Sequence, residues 1–97
     1  MQNLEEIKSF LESTKTHQQN SFRNLYFPFV GGYLKLGVVF EEEFIDLINA
    51  KIYQLDEVRI CEDFYVGVNS IESLSKVLLI TLNNLHAVTS LYTPKVK

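Results

Sequence analysis

Residues Phe22–Phe40, FRNLYFPFVGGYLKLGVVF, decide the fold. Gly31-Gly32 lies between two β-prone runs, and glycine tolerates the positive φ values that tight hairpin turns require. The stretch predicts a β-hairpin folded at that pair, with Phe29 opposite Leu34, Phe27 opposite Leu36 and Leu25 opposite Val38. By the two-residue period of a strand, these six apolar side chains share one face. The opposite face collects Phe22, Asn24, Tyr26, Pro28 and Val30 with Tyr33, Lys35, Gly37 and Val39, and it is not properly polar. Pro28 has no N–H to give to a ladder. A four-residue loop over Val30-Gly31-Gly32-Tyr33 aims the missing donor away from the partner strand and puts the first strand at a sheet edge. An aromatic edge strand needs covering.

Upstream, Asn3-Leu4-Glu5-Glu6 fits a capping box, with Asn3 as N-cap and Glu6 reaching back. Leu4, Ile7 and Leu11 recur at helical spacing with Phe10 beside them, which predicts a helix over 4–14. The polar run STKTHQQNS (13–21) reads as a loop. Downstream, Glu41-Glu42-Glu43 stops the strand pattern, and Phe44, Ile45, Leu47, Ile48, Ile52 and Leu55 suggest a helix over 41–53. Acidic residues in its first turn would favour the helix dipole. Val58 and Ile60, then Phe64–Val68, read as a second hairpin turning at Cys61-Glu62-Asp63. Asn69-Ser70-Ile71-Glu72 repeats the cap signature. Behind it, Ile71, Leu74, Leu78, Leu82, Leu85 and Tyr92 form one apolar row, and Val77, Ile80, Ala87 and Leu91 a second. A strand over Val77–Leu82 competes with this helix, and the flanking period and cap favour the helix. The expected fold is α+β: an antiparallel sheet of two hairpins with helices packed on it, in the order α-β-β-α-β-β-α. Residues 1–97 form one domain, with a frayed tail over 93–97.

The composition, 46% hydrophobic and 22% charged, is that of a globular chain rather than a disordered one. No apolar run approaches the ~20 residues of a membrane span. The first ten residues carry acids where a signal peptide carries bases. A single cysteine cannot form an internal disulfide, so a cytoplasmic setting, in a cell or an infected host, is expected. The net charge of −3 argues against nucleic acid or an anionic membrane as partner. Its distribution is uneven: residues 41–63 hold eight acids against Lys51 and Arg59, a local −6, while the remaining four acids and seven bases give +3.

Chemistry-bearing motifs are sparse. Cys61 is the only thiol, and its neighbours Glu62 and Asp63 would raise rather than lower its pKa, so it reads as a half-buried structural thiol. His17 and His86 are distant in sequence and, with one cysteine, make no zinc set. Gly31-Gly32 sits between strands and not before a helix, so it is no phosphate loop. The acid pairs of 41–63 are accounted for by helix-dipole and turn chemistry. No catalytic residue, metal or cofactor is expected.

What remains is surface. The chain reads as a non-enzymatic protein-binding module, self-associated as a homodimer. Val77, Ile80, Ala87 and Leu91 of the last helix, with Tyr26 and Tyr33 of the hairpin, are the expected dimer interface. Glu41, Glu42, Glu43, Asp46, Glu62 and Asp63 are the expected contacts to a partner with a basic surface. Such a device suits an inhibitor, an immunity or anti-defence protein, or a small chaperone. The alternative is a single-stranded nucleic-acid binder that stacks bases on the aromatic sheet face.

Overall fold

The computed structural model describes residues 3–18, 21–55 and 57–85, without the side chains of 17 and 18. Strands β1 (Phe22–Phe29) and β2 (Gly32–Phe40) form the expected hairpin with its register displaced by two residues. Phe29 faces Gly32, Phe27 faces Leu34 and Leu25 faces Leu36. The loop is only Val30-Gly31, not four residues. Gly31 takes φ 102° after a Val30 of negative φ, the sign pattern of a type II turn. Gly32 serves differently: a Cβ there would collide with the carbonyl oxygen of Tyr53 on the next strand. An even displacement leaves every side chain on its expected face. Leu25, Phe27, Phe29, Leu34, Leu36 and Val38 are accordingly all buried. Phe29 and Gly32 flank the two-residue loop and form the hydrogen-bonded pair, so Pro28 directs its missing donor outward, and β1 is a sheet edge as expected.

The helix expected over 41–53 is instead a third strand, β3 (Ile45–Gln54), antiparallel to β2. The cause of the misreading is a bulge. Gly37 faces Asn49 and Val38 faces Leu47, which leaves Ile48 without an opposite residue. The inward residues Ile45, Leu47, Ala50 and Ile52 are therefore spaced by two, three and two, and a three-residue step imitates a helical period. Glu41–Glu43 lies in the β2–β3 loop, not in a helix, so the dipole account of those acids falls. The loop is closed by Glu41 N–H donating to the Phe44 carbonyl (2.9 Å) and held to the first helix by Lys15 Nζ on the Glu42 carbonyl (2.9 Å).

Strand β4 (Glu57–Ile60) exists near its expected place but pairs with β3, closing on Gln54 opposite Glu57. The segment expected as its partner strand begins as a 3-10 turn, Glu62–Tyr65. The sheet is thus a four-strand meander, β1-β2-β3-β4, and the observed element order is α-β-β-β-β-3-10-α.

Helix α1 (Leu4–Gln18) has the expected capping box: Glu6 N–H donates to Asn3 Oδ1 (2.9 Å) and Asn3 N–H to Glu6 Oε1 (3.2 Å). It runs four residues past its expected end. Thr14 and Thr16 return their hydroxyls to the carbonyls of Phe10 and Glu12, so their polarity does not stop the helix. Helix α2 (Ile71–Asn84) is capped one residue later than expected, by Ser70 and Ser73 rather than Asn69 and Glu72. Val77–Leu82 is helical. Ile7 and Leu11 of α1, with Leu74, Leu78 and Leu82 of α2, pack on the inward strand residues and Phe64 in one core. Lys8 Nζ meets Glu72 Oε1 at 3.1 Å where the two helices adjoin. Both helices lie on the same side of the sheet.

Candidate interaction surface: the open face of the sheet

Strand alternation sends Phe22, Asn24, Tyr26 and Pro28 of β1 to the side away from the helices. Tyr33, Lys35, Gly37 and Val39 of β2 join them, as do Asp46, Asn49, Lys51 and Tyr53 of β3 and Val58 and Ile60 of β4. No described helix lies on this face. An antiparallel sheet solvated on one side ordinarily carries polar residues there. Here the centre is aromatic. Tyr26 meets Tyr33 edge to face at 5.7 Å, and Tyr33 stacks on Tyr53 at 5.0 Å with the rings 17° apart. These distances and angles are favoured aromatic geometries, so the three rings form a ladder across three strands.

One step along the strands, Lys35 and Lys51 stand directly opposite each other. Neither is ion-paired with a described residue. A further step on, Gly37 makes room for two neighbours. A Cβ there would lie 2.6 Å from Asn49 Nδ2 and 3.1 Å from Cζ of the Phe22 ring. Asn49 Oδ1 is buried without a hydrogen-bond partner. The face therefore runs from a tyrosine ladder, through a pair of ammonium groups, to a phenylalanine lying over glycine.

Of the expected interface residues, Tyr26 and Tyr33 belong to this face. Val77 is half-buried against the core and Ile80 is 62% exposed on α2, on the other side of the molecule. Ala87 and Leu91 lie outside the described residues. The six expected acidic contacts come from two segments of the chain. Glu41, Glu42, Glu43 and Asp46 sit at the start of β3, while Glu62 and Asp63 sit on the 3-10 turn beyond β4.

The turn after β4 is built onto the sheet by two bonds. Cys61 N–H donates to the Ala50 carbonyl (2.9 Å), and Ala50 N–H donates to Tyr65 Oη (3.0 Å), so a phenol replaces the next ladder partner of β3. Behind them Ile52, Arg59, Cys61, Phe64, Thr81 and Leu85 line a cleft of about 310 Å³ between the sheet edge and the end of α2. Burial pushes the Cys61 thiol above its ordinary pKa, with Asp63 adding to the rise and Arg59 opposing it. That is the environment of an unreactive thiol. His86 and the side chain of His17 lie outside the described residues. Among the described residues, no three metal-ligating side chains come together, and no helix is long and apolar enough to cross a membrane.

No family model, curated protein or solved structure matches the chain. The surface must be read from its own residues. Lys51 and Tyr53, half of its centre, escaped the sequence reading because they fell in the expected helix. The signal that could have found them is the alternation of Ala50 and Ile52 with Lys51 and Tyr53.

Proposed function

We propose that this chain is a non-enzymatic protein-binding module that holds an acidic, partly apolar segment of a partner against the open sheet face. The observation that carries this is the Tyr26–Tyr33–Tyr53 ladder beside the Lys35–Lys51 couple, which has no carboxylate partner among the described residues. Tyrosine offers large, rigid contact area with a polar tip, and is enriched at protein interfaces for that reason. Two adjacent ammonium groups without carboxylates favour a partner that supplies them. The expected basic partner would instead meet the acidic residues of the β2–β3 loop and of the 3-10 turn. An inhibitor, an immunity or anti-defence protein, or a small chaperone all act by occupying another protein in this way. The half-buried thiol of Cys61 suits a reducing, cytoplasmic compartment.

Base stacking is the competing use of an aromatic sheet. It needs free ring faces, whereas Tyr33 already has one face on Tyr53 and makes an edge-to-face contact with Tyr26. Panning a random peptide library on the full chain, followed by anisotropy titrations, separates the two. Selected peptides are expected to combine Asp or Glu with aromatic or aliphatic residues. Tyr33→Ala and Lys35→Ala/Lys51→Ala should each weaken them by roughly tenfold or more, the cost of one interface anchor. Selected peptides indifferent to both variants would overturn the proposal. So would a single-stranded oligonucleotide that binds with steep salt dependence when no peptide does.

A further inference from the structure

We infer that two copies of this chain join edge to edge through β4, antiparallel, with Val58 of one copy opposite Val58 of the other. The proposal does not depend on what the open face binds. It starts from the direction of backbone groups. Gln54 and Glu57 close the β3–β4 hairpin, and Cys61 N–H bonds the Ala50 carbonyl. Hydrogen bonding alternates along an antiparallel strand, so Glu57, Arg59 and Cys61 turn their backbone toward β3. Val58 and Ile60 turn theirs to the open edge. Among the described residues β4 is the last strand of the sheet, and all four of its residues are exposed.

Natural proteins blunt such edges with very short strands, charged side chains, proline or a bulge. The opposite edge, β1, carries Pro28. β4 is short and carries two charges but has no proline, lysine or bulge among Glu57–Ile60, and its two outward-bonding residues are β-branched, with Val58 55% and Ile60 51% exposed. Its charges, Glu57 and Arg59, are of opposite sign, so the strand that extends it must complement both.

Self-pairing about a two-fold axis admits few registers, and charge selects one. Centring on Arg59 sets guanidinium against guanidinium, and centring on Glu57 sets carboxylate against carboxylate. Centring on Ile60 drives the second copy past Cys61 into the 3-10 turn. Centring on Val58 brings Val58 onto Val58 and places Glu57 opposite Arg59 of the second copy, twice by symmetry. Opposite charges directly across a strand pair are favourable and like charges are not. The same register lays Leu55 of each copy beside Cys61 of the other. Leu55 is otherwise hard to explain, being fully exposed and held at φ 41°, where a Cβ is strained. Tyr65 and Val66, also exposed, follow Cys61 and extend the contact at both ends. A ladder this short makes a reversible dimer rather than a permanent one. The product is one eight-strand sheet with both tyrosine ladders on the same side, a bivalent surface.

Sedimentation of the full chain at micromolar concentrations is expected to show a monomer–dimer equilibrium. Glu57→Arg and Arg59→Glu, each made alone, should weaken it by roughly tenfold. The double exchange Glu57→Arg/Arg59→Glu should restore it, because the complementary pairs are rebuilt with reversed sign. Paired residues with outward backbone lie about 5.5 Å apart at Cα, within disulfide reach. Oxidised Val58→Cys/Cys61→Ser should therefore form a covalent dimer, and Arg59→Cys/Cys61→Ser should not. Circular dichroism verifies that each variant is folded. A wild-type chain that stays monomeric, or a double exchange no tighter than either single, would overturn the proposal.

Discussion

Replacing Lys51 with glutamate should make this protein more stable while weakening its binding surface. Lys35 and Lys51 are paired across β2 and β3, and neither has a carboxylate partner among the described residues. Hydrogen-bonded partners lie about 5.5 Å apart at Cα, so the two lysine side chains leave the sheet side by side on a half-exposed face. A like-charge pair in this position costs, and an opposite-charge pair contributes, roughly 0.2–1 kcal/mol. Reversing one charge collects both, a gain of about 1 kcal/mol. For a domain of this size that is about 4–8 °C in Tm. Lys51→Gln shares its stem with Lys51→Glu, so the difference between the two isolates charge from packing. The expected order of stability is glutamate, then glutamine, then lysine. Thermal unfolding by circular dichroism should be run at ~0.1 M and ~1 M salt, where the screening length falls from about 10 Å to about 3 Å. The spread among the three proteins should shrink at the higher salt. Equal stability at low salt, or a gain that salt leaves untouched, would refute the idea that the face carries an unrelieved repulsion. Library-selected peptides should bind Lys51→Glu more weakly than the wild type.

Other parts of the fold give further outcomes. Gly31→Ala meets open space but a strained φ, and should cost about 1–2 kcal/mol in urea unfolding. Gly32→Ala must push β2 from the Tyr53 carbonyl and should cost more, about 3 kcal/mol through lost ladder bonds, so the reverse order would contradict the observed register. Cys61, whose thiol burial holds above the ordinary range, should react with iodoacetamide more slowly at neutral pH than the urea-unfolded chain; a faster native reaction would mean an activated thiolate. Hydrogen bonding and charge from Lys8, then Lys76, hold the Glu72 carboxyl below its usual range, so its contribution is complete above about pH 4.3 and fades as acid protonates it in the fold. Lys8 is raised by the same contact, and its share is complete below about pH 10.4 and fades above. Glu72→Gln should thus lower Tm slightly between these limits and converge on the wild type in acid; a gap that persists there would mean that the pair is not its source.

Several features were legible in the residues because one local cause decided each. The faces of the β1–β2 hairpin survive a register displaced by two, since side-chain direction depends only on parity. The cap of α1 is written in Asn3 and Glu6, three residues apart. The register itself was not legible, because two adjacent glycines look interchangeable. One supplies a positive φ and the other yields space to a neighbouring strand, and only the second duty depends on β3. β3 was misread for a related reason. Its bulge at Ile48 answers Gly37 on the partner strand, so the interruption in its alternation is caused by a residue outside the segment. With β3 taken as a helix, Tyr53 and Lys51 could not be joined to Tyr33 and Lys35.

Several features that oppose stability lie together, and their location supports the proposed reading more than any one of them does. The opposed lysines, the aromatic ladder facing outward, and the buried, unpartnered Asn49 Oδ1 lie on the sheet face away from the helices. The strained, fully exposed Leu55 and the exposed edge strand β4 adjoin it. A chain selected only to fold would place charged residues of alternating sign over that face and a glycine or asparagine at the hairpin tip. The helix side follows the ordinary pattern of inward leucines and phenylalanines, although Ser75 Oγ and Arg23 Nε are also buried there without a hydrogen-bond partner. Local choices that conflict with the fold are expected where a surface serves something other than folding. On those grounds the proposal places binding on the sheet's outer face and its β4 edge, with the two described helices packed behind them as support.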